Sequence, residues 1–181
     1  MNVITTLSDL VDEPQRFIDR ADIRETGRAG LTGYLFGALS LFIFLRLFSS
    51  VPPGAYSFLS VLSAVLLVNF AVASSMHLFL EMTGSGGSAL RLFFLLGATE
   101  LIWAVLIPLG FLAKLGFLTP AADFLICLVA ILVARISLMR RLYSISRNKA
   151  FLALGMPCAA LTAAFLIFFV YAIVYLVWLM G

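Results

Sequence analysis

Long uninterrupted apolar runs are the feature of this sequence that most constrains its fold. Five such runs lie at about 31–48, 58–80, 90–113, 120–138 and 151–178. A bilayer core about 30 Å thick requires roughly 20 apolar residues in a helix, and each run is near or above that length. Soluble domains are about 25% charged, whereas this chain of 181 residues is 12% charged and 63% hydrophobic. The runs predict an all-α, polytopic membrane protein with five transmembrane helices, which we call spans 1 to 5.

The breaks between the runs carry residues that end helices. Pro52 and Pro53 follow span 1 and cannot donate backbone hydrogen bonds. A glycine-serine segment at 83–88 follows span 2, and Thr119 with Pro120 suits the cap and first position of span 4. A polar segment at 140–149 separates spans 4 and 5. Because the runs are continuous rather than alternating, helices are predicted and transmembrane strands are not.

Basic residues are distributed unequally among the segments that connect the runs. Nearly all of those at or beyond the ends of the runs lie before span 1, near the connection of spans 2 and 3, or between spans 4 and 5. They are Arg16, Arg20, Arg24, Arg28, Arg91, Arg140, Arg141, Arg147 and Lys149. Lys114 lies on the opposite side. The positive-inside rule therefore predicts a cytoplasmic N-terminus and an outside C-terminus in the cell membrane, with the bacterial inner membrane expected. The net charge of +3 is then a topology signal, and no nucleic-acid partner is predicted.

Residues 1–30 are predicted to form a separate cytoplasmic segment ahead of the membrane domain at 31–181. Apolar residues recur there at helical spacing, at Leu7, Leu10, Val11, Pro14, Phe17, Ile18 and Ala21. This pattern favours a short amphipathic helix on the membrane surface. A partly ordered polar tail is the alternative interpretation.

The stretch from His77 to Phe94 is the least uniform part of the chain and the first place to look for chemistry. A phosphate-binding loop would need a lysine after the glycines, and a zinc-protease helix would need a second histidine; neither is present. Cys127 and Cys158 are far apart in sequence and predict small apolar fillers. The sequence therefore predicts a flexible cytoplasmic turn here. It predicts no enzyme, with no catalytic residues, no cofactor and no metal site.

Polar residues within the apolar runs are candidates for a site, because burying them in hydrocarbon is costly. Glu100 and Asn69 lie near the middles of spans 3 and 2, so their matched depth predicts a hydrogen bond and an intramembrane polar centre. Arg46 and Asp123 match in depth near the outer ends of spans 1 and 4, which predicts an ion pair. Arg135 lies about one turn inside the cytoplasmic boundary and can snorkel towards it. These residues serve helix packing on one interpretation and a proton- or ion-linked centre on the other.

Small residues at helical spacing indicate places where helices approach closely. Gly33 and Gly37 form such a pair in span 1, and Gly155, Ala159 and Ala163 form a stripe in span 5. Both sets suit internal packing, and self-association is the alternative.

Loose motifs spread over about residues 10–178 resemble the Yip1-domain family of membrane proteins. They are Pro14 with Phe17, the pattern from His77 to Leu92, Pro108, and the turn from Leu142 to Ala150. The resemblance implies a compact prokaryotic member with five spans. Eukaryotic relatives are adaptors in vesicle traffic that contact small GTPases. This chain lacks their long N-terminal region and its Asp-Leu-Tyr-Gly-Pro motif, so small-GTPase binding is not carried over.

Together these features predict a Yip1-like scaffold or membrane-organising component without enzymatic activity. Its predicted partners are the lipid bilayer and other membrane proteins or further copies of itself. The alternative is a small transporter or ion-coupled permease built around Glu100. A scaffold should tolerate Glu100→Gln, whereas a coupled transporter should lose flux while still folding.

Overall fold

The structure is a computed structural model that describes residues 23–180, and every regular element in that range is helical. The elements are α1 (Ile23–Leu47), α2 (Ala55–Met82), α3 (Ala89–Thr99), a 3-10 helix (Glu100–Val105), α4 (Leu106–Lys114), α5 (Pro120–Tyr143) and α6 (Arg147–Met180). Spans 1, 2, 4 and 5 are α1, α2, α5 and α6, and span 3 runs from α3 through the 3-10 helix to α4. All five are long and apolar enough to cross a membrane. The all-helical fold with five such helices is confirmed; the predicted amphipathic helix at Leu7–Ala21 lies outside the described residues.

Span 1 extends further towards the N-terminus than its apolar run. The described helix already includes Ile23, eight residues before the apolar run that begins at 31. Charged residues do not oppose helix formation, and Glu25 in the first turn interacts favourably with the partial positive charge at a helix N-terminus. Hydropathy detects only the part of a helix that suits hydrocarbon, which explains the difference.

Side-chain caps begin spans 3 and 4, and the cap at Thr119 is one that the sequence predicted. The hydroxyl of Ser88 accepts a hydrogen bond from the backbone N–H of Arg91, at 3.4 Å. The hydroxyl of Thr119 accepts from the N–H of Ala122 at 3.3 Å. Pro120 follows at the start of the helix, where its missing N–H costs nothing.

Glycines bring the backbones of spans 1 and 3 into direct contact. A Cβ atom added at Gly33 would lie 2.1 Å from the carbonyl oxygen of Gly97, and one added at Gly37 would lie 2.5 Å from that of Glu100. No side chain larger than hydrogen fits at either position without moving a helix. The Gly33–Gly37 pair therefore serves internal packing.

Span 5 packs on the bundle only near its beginning. Ala150 and Ala153 are fully buried, in a cluster with residues of spans 2, 3 and 4. Beyond Pro157, nearly all side chains that the structure describes are exposed. Nothing lies within 4 Å of a Cβ added at Gly155. The predicted stripe of Gly155, Ala159 and Ala163 thus contributes little to internal packing, and its self-association stays a prediction.

A turn of 3-10 helix interrupts span 3, where the sequence predicted a continuous apolar helix. Pro108 supplies the physical reason, because it cannot donate to the carbonyl of Ala104 and its ring crowds that group. The turn before it is wound more tightly, and the N–H of Leu106 donates to the carbonyl of Trp103, three residues back. Glu100 begins this 3-10 segment.

Candidate functional site

The structure brings Asn69 and Glu100 together in the interior of the bundle. The side-chain nitrogen of Asn69 donates to Oε1 of Glu100 at 3.1 Å. The same nitrogen donates to the carbonyl of Val65 at 2.9 Å. Both polar side chains are buried, at 4% and 3% exposure. The hydrogen bond that matched depth predicted is therefore present, between spans 2 and 3.

Arg135 of span 4 is the third member of this polar centre, and it turns inwards instead of snorkelling to the boundary. Its Nη2 forms an ion pair with Oε1 of Glu100 and donates to Oδ1 of Asn69 at 2.6 Å. Its Nε donates to the hydroxyl of Thr99 at 3.2 Å. The side chain is only 11% exposed. An arginine facing a carboxylate at similar depth gains more from a charge-assisted hydrogen bond than from stretching to the boundary.

Trp103 completes the coordination of the carboxylate. Its indole N–H donates to Oε2 of Glu100 at 2.8 Å, so both carboxylate oxygens accept hydrogen bonds. The hydroxyl of Thr99 donates to the carbonyl of Leu96 at 2.6 Å while it accepts from Arg135. Sequence reasoning missed Trp103 and Thr99. Their positions in the sequence could have revealed them, because Trp103 is three residues from Glu100 and Thr99 is adjacent to it.

A cleft of about 270 Å³ lies beside the polar centre. Its sides come mainly from spans 2 and 4, and its lining comprises Leu41, Ala64, Val65, Val68, Asn69, Glu100, Trp103, Leu128, Ile131 and Arg135. Most of these side chains are apolar, and Asn69, Glu100 and Arg135 supply the polar part of the lining. Val68 is 60% exposed, so the cleft opens sideways to the outside of the bundle.

The predicted ion pair of Arg46 and Asp123 is not formed. Nη1 of Arg46 donates to the carbonyl of Val51 at 3.0 Å, in the turn that follows span 1. Both carboxylate oxygens of Asp123 are buried and have no hydrogen-bond partner among the described residues. Span 1 packs mainly on spans 2 and 3, whereas span 4 packs on spans 3 and 5. The sequence predicted the depth of these two residues in the membrane, but it did not predict the rotation of each helix about its axis.

A second group of polar contacts lies at the other end of the bundle. Nδ1 of His77 lies 2.8 Å from the hydroxyl of Tyr143, and its Nε2 lies 3.6 Å from Oε2 of Glu81. This joins the ends of spans 2 and 4. A Cβ added at Gly87 would lie 2.2 Å from the ring of Tyr143, which explains a glycine in this connection.

Lys149 holds the turn between spans 2 and 3. Its ammonium group donates to the carbonyl of Thr83 at 2.8 Å and to the hydroxyl of Ser85 at 2.7 Å. The predicted turn is present, but these contacts fix it to the start of span 5. Two of the segments that carry the family resemblance, His77 to Leu92 and Leu142 to Ala150, therefore contact each other.

No protein-family model, curated protein or solved structure matches this chain. Within residues 23–180, no three histidine, cysteine, aspartate or glutamate side chains are grouped closely enough to hold a metal ion. The polar centre formed by Asn69, Glu100 and Arg135 is the candidate site.

Proposed function

We propose that this chain is a non-enzymatic integral membrane protein, a scaffold or membrane-organising component that acts through contacts with other membrane proteins or further copies of itself. The observation that carries the proposal is the way Asn69, Glu100 and Arg135 bind one another across spans 2, 3 and 4. A network of this kind fixes the register of three helices. A platform that presents constant outer faces to partners needs that rigidity.

The energetics of burial support a structural role for the polar centre. A lone charge at the centre of a membrane helix costs about 2.5–3.5 kcal/mol on insertion scales. Here the charges of Glu100 and Arg135 cancel, and the carboxylate accepts from Asn69 and Trp103 as well. Any other rotation of spans 2 and 4 would leave these groups unpaired in an apolar setting. The network therefore penalises alternative packings, which is how buried polar groups provide specificity.

Placement in the cell membrane, with the N-terminus inside, is part of the proposal and is supported by the unequal distribution of arginine and lysine. Assignment to the Yip1-like class, in a bacterial inner membrane, is likewise proposed from the sequence motifs. Lys149 connects two of those motifs through Thr83 and Ser85.

An ion-coupled permease is the second candidate function. Two observations favour it: the 3-10 segment begins at Glu100, and the cleft gives the polar centre a side opening. Breaks in helical hydrogen bonding within a span often mark functional hinges. In this alternative Glu100 would exchange a proton or ion during transport.

The two functions separate in a comparison of Glu100→Gln with the control Glu81→Gln. Glu81 is 68% exposed at the end of span 2, so its change alters charge equally without touching the centre. Each protein is purified from native membranes in mild detergent, and co-purifying membrane proteins are quantified per folded molecule. Proton flux into proteoliposomes is followed with a pH-sensitive dye.

For a scaffold we expect one defined set of partners, or further copies, recovered equally with both variants, and no flux that depends on Glu100. Wild-type flux that survives in Glu81→Gln but disappears in folded Glu100→Gln would establish the permease instead. Recovery of the wild-type chain alone, even after cross-linking in the native membrane, would contradict the scaffold.

A further inference from the structure

One nitrogen of the buried arginine is not used by the polar centre. Nη2 and Nε of Arg135 donate to Glu100, Asn69 and Thr99, but Nη1 has no acceptor among the described residues. The atom is also not enclosed, because the only fully buried side-chain polar atoms without a partner in residues 23–180 are the oxygens of Asp123. Because Arg135 lines the cleft and its Nη1 is neither bonded nor fully buried among the described residues, we take this atom as the donor available to a molecule in the cleft.

The charge balance of the centre limits what this donor can receive. Glu100 and Arg135 already neutralise each other, so an anion would bring an uncompensated charge into an apolar cleft, at a high cost. A neutral acceptor oxygen adds no charge and satisfies the remaining donor. The apolar lining, including Leu128 and Ile131, suits the hydrocarbon body of such a molecule.

The depth of the cleft in the membrane limits which neutral acceptor oxygens can reach Arg135. The Arg135 side chain bonds to Glu100, which lies ten residues from the start of the span 3 run at 90, or about 15 Å at 1.5 Å per residue. Half the thickness of a bilayer core is about 15 Å. Ester carbonyls of phospholipids lie at the edge of that core. A ligand of this cleft must instead carry its oxygen to the middle of the bilayer.

We propose that the cleft between spans 2 and 4 binds a neutral, membrane-dissolved molecule with a ring carbonyl, of the alkyl-quinone type, whose oxygen accepts a hydrogen bond from Nη1 of Arg135. The apolar tail leaves through the side opening next to Val68 and mixes with lipid chains. This site goes beyond the proposed scaffold function and does not depend on it.

Trp103 provides a direct measurement of binding, because it lines the cleft. The chain has two tryptophans, so Trp178→Phe leaves Trp103 as the single reporter. The protein is placed in nanodiscs of ether-linked phospholipids, which contain no ester carbonyl, and titrated with decyl-benzoquinone. We expect saturable quenching of Trp103 fluorescence above a linear background from collisions in the bilayer.

Two further variants on this background test the site. Arg135→Lys keeps the charge opposite Glu100 but removes Nη1. Because one hydrogen bond from a charged donor is lost, the quinone concentration at half-saturation should rise about tenfold or more. Val68→Phe fills the opening without touching the polar network and should abolish the saturable component. Val133→Phe is its matched control, because Val133 is a similarly exposed valine of span 4, at 62% against 60%, that does not line the cleft.

Purely linear quenching in the Trp178→Phe protein with no further change would overturn the proposal. Saturable quenching that persists in Val68→Phe would also overturn it, even if Arg135→Lys failed to fold. An excess of decylbenzene has the apolar body without a carbonyl and should leave the titration unchanged. Complete displacement by decylbenzene would remove the role assigned to Arg135.

Discussion

Replacing Gly33 by alanine tests how closely spans 1 and 3 pack. The new Cβ would lie 2.1 Å from the carbonyl oxygen of Gly97 and 2.9 Å from the Cα of Ala98, where ordinary contact begins at 3.4 Å. These neighbours are backbone atoms, so no side-chain rotation relieves the clash. The two helices must move apart by about 1 Å, which disturbs dispersion contacts along their whole interface.

The magnitude follows from comparison with Gly155→Ala in span 5. Both glycines lie inside helices, so alanine gains about 1 kcal/mol of helix propensity at each position. A Cβ at Gly155 meets nothing within 4 Å, and this variant should be neutral or slightly more stable. The difference between the two variants isolates the clash, which overpacking data place at about 1–3 kcal/mol.

Unfolding in mixed micelles with increasing dodecyl sulfate, followed by circular dichroism, measures both variants. We expect Gly33→Ala to unfold at a clearly lower detergent fraction than Gly155→Ala, and Gly155→Ala to unfold at the wild-type fraction or higher. Equal stability of the two variants would show that spans 1 and 3 do not touch through Gly33, and the packing described here would be refuted.

Reporter fusions after Gly181 should behave as outside the cell and fusions at Gly86 as cytoplasmic; a cytoplasmic C-terminus would exclude the five-span topology. Asp123→Leu should stabilise the protein by about 1–3 kcal/mol in the same unfolding assay, because it removes a buried carboxylate that has no hydrogen-bond partner among the described residues; a loss of stability would show that Asp123 has a partner. Tyr143→Phe should cost about 1 kcal/mol by removing the contact of its hydroxyl with His77, and an unchanged unfolding curve would contradict that contact.

The sequence predicted those features that depend on position along a helix axis. The five apolar runs gave the five helices, and equal depth correctly brought Asn69 and Glu100 together, because these spans are neighbours. Depth could not place Arg46 and Asp123, since span 3 lies between their helices and a hydropathy pattern does not give the rotation of each helix. The cleft could not be predicted from the sequence either, because it lies between helices that are not consecutive in the chain.

Arg135 shows a different limit of sequence reasoning. Its distance from the cytoplasmic boundary allowed either snorkelling or an inward ion pair, and only the position of Glu100 in three dimensions decides between them. The interruption of span 3 was in principle readable, because Pro108 removes the hydrogen bond to Ala104. The sequence did not indicate that the interruption takes the form of a 3-10 segment that begins at Glu100.

A double-mutant cycle on Glu100 and Arg135 tests most directly whether the polar centre is one unit that holds the spans together. Glu100→Leu and Arg135→Met are measured singly and together in the micelle unfolding assay, with Glu100→Leu plus Val133→Ala as the distant control pair. Each single change leaves a buried charge unpaired, so the double variant should cost less than the sum by at least about 1 kcal/mol. The control pair should be additive within about 0.5 kcal/mol. Additivity of Glu100→Leu and Arg135→Met within that same margin would contradict the polar centre as the element that fixes spans 3 and 4.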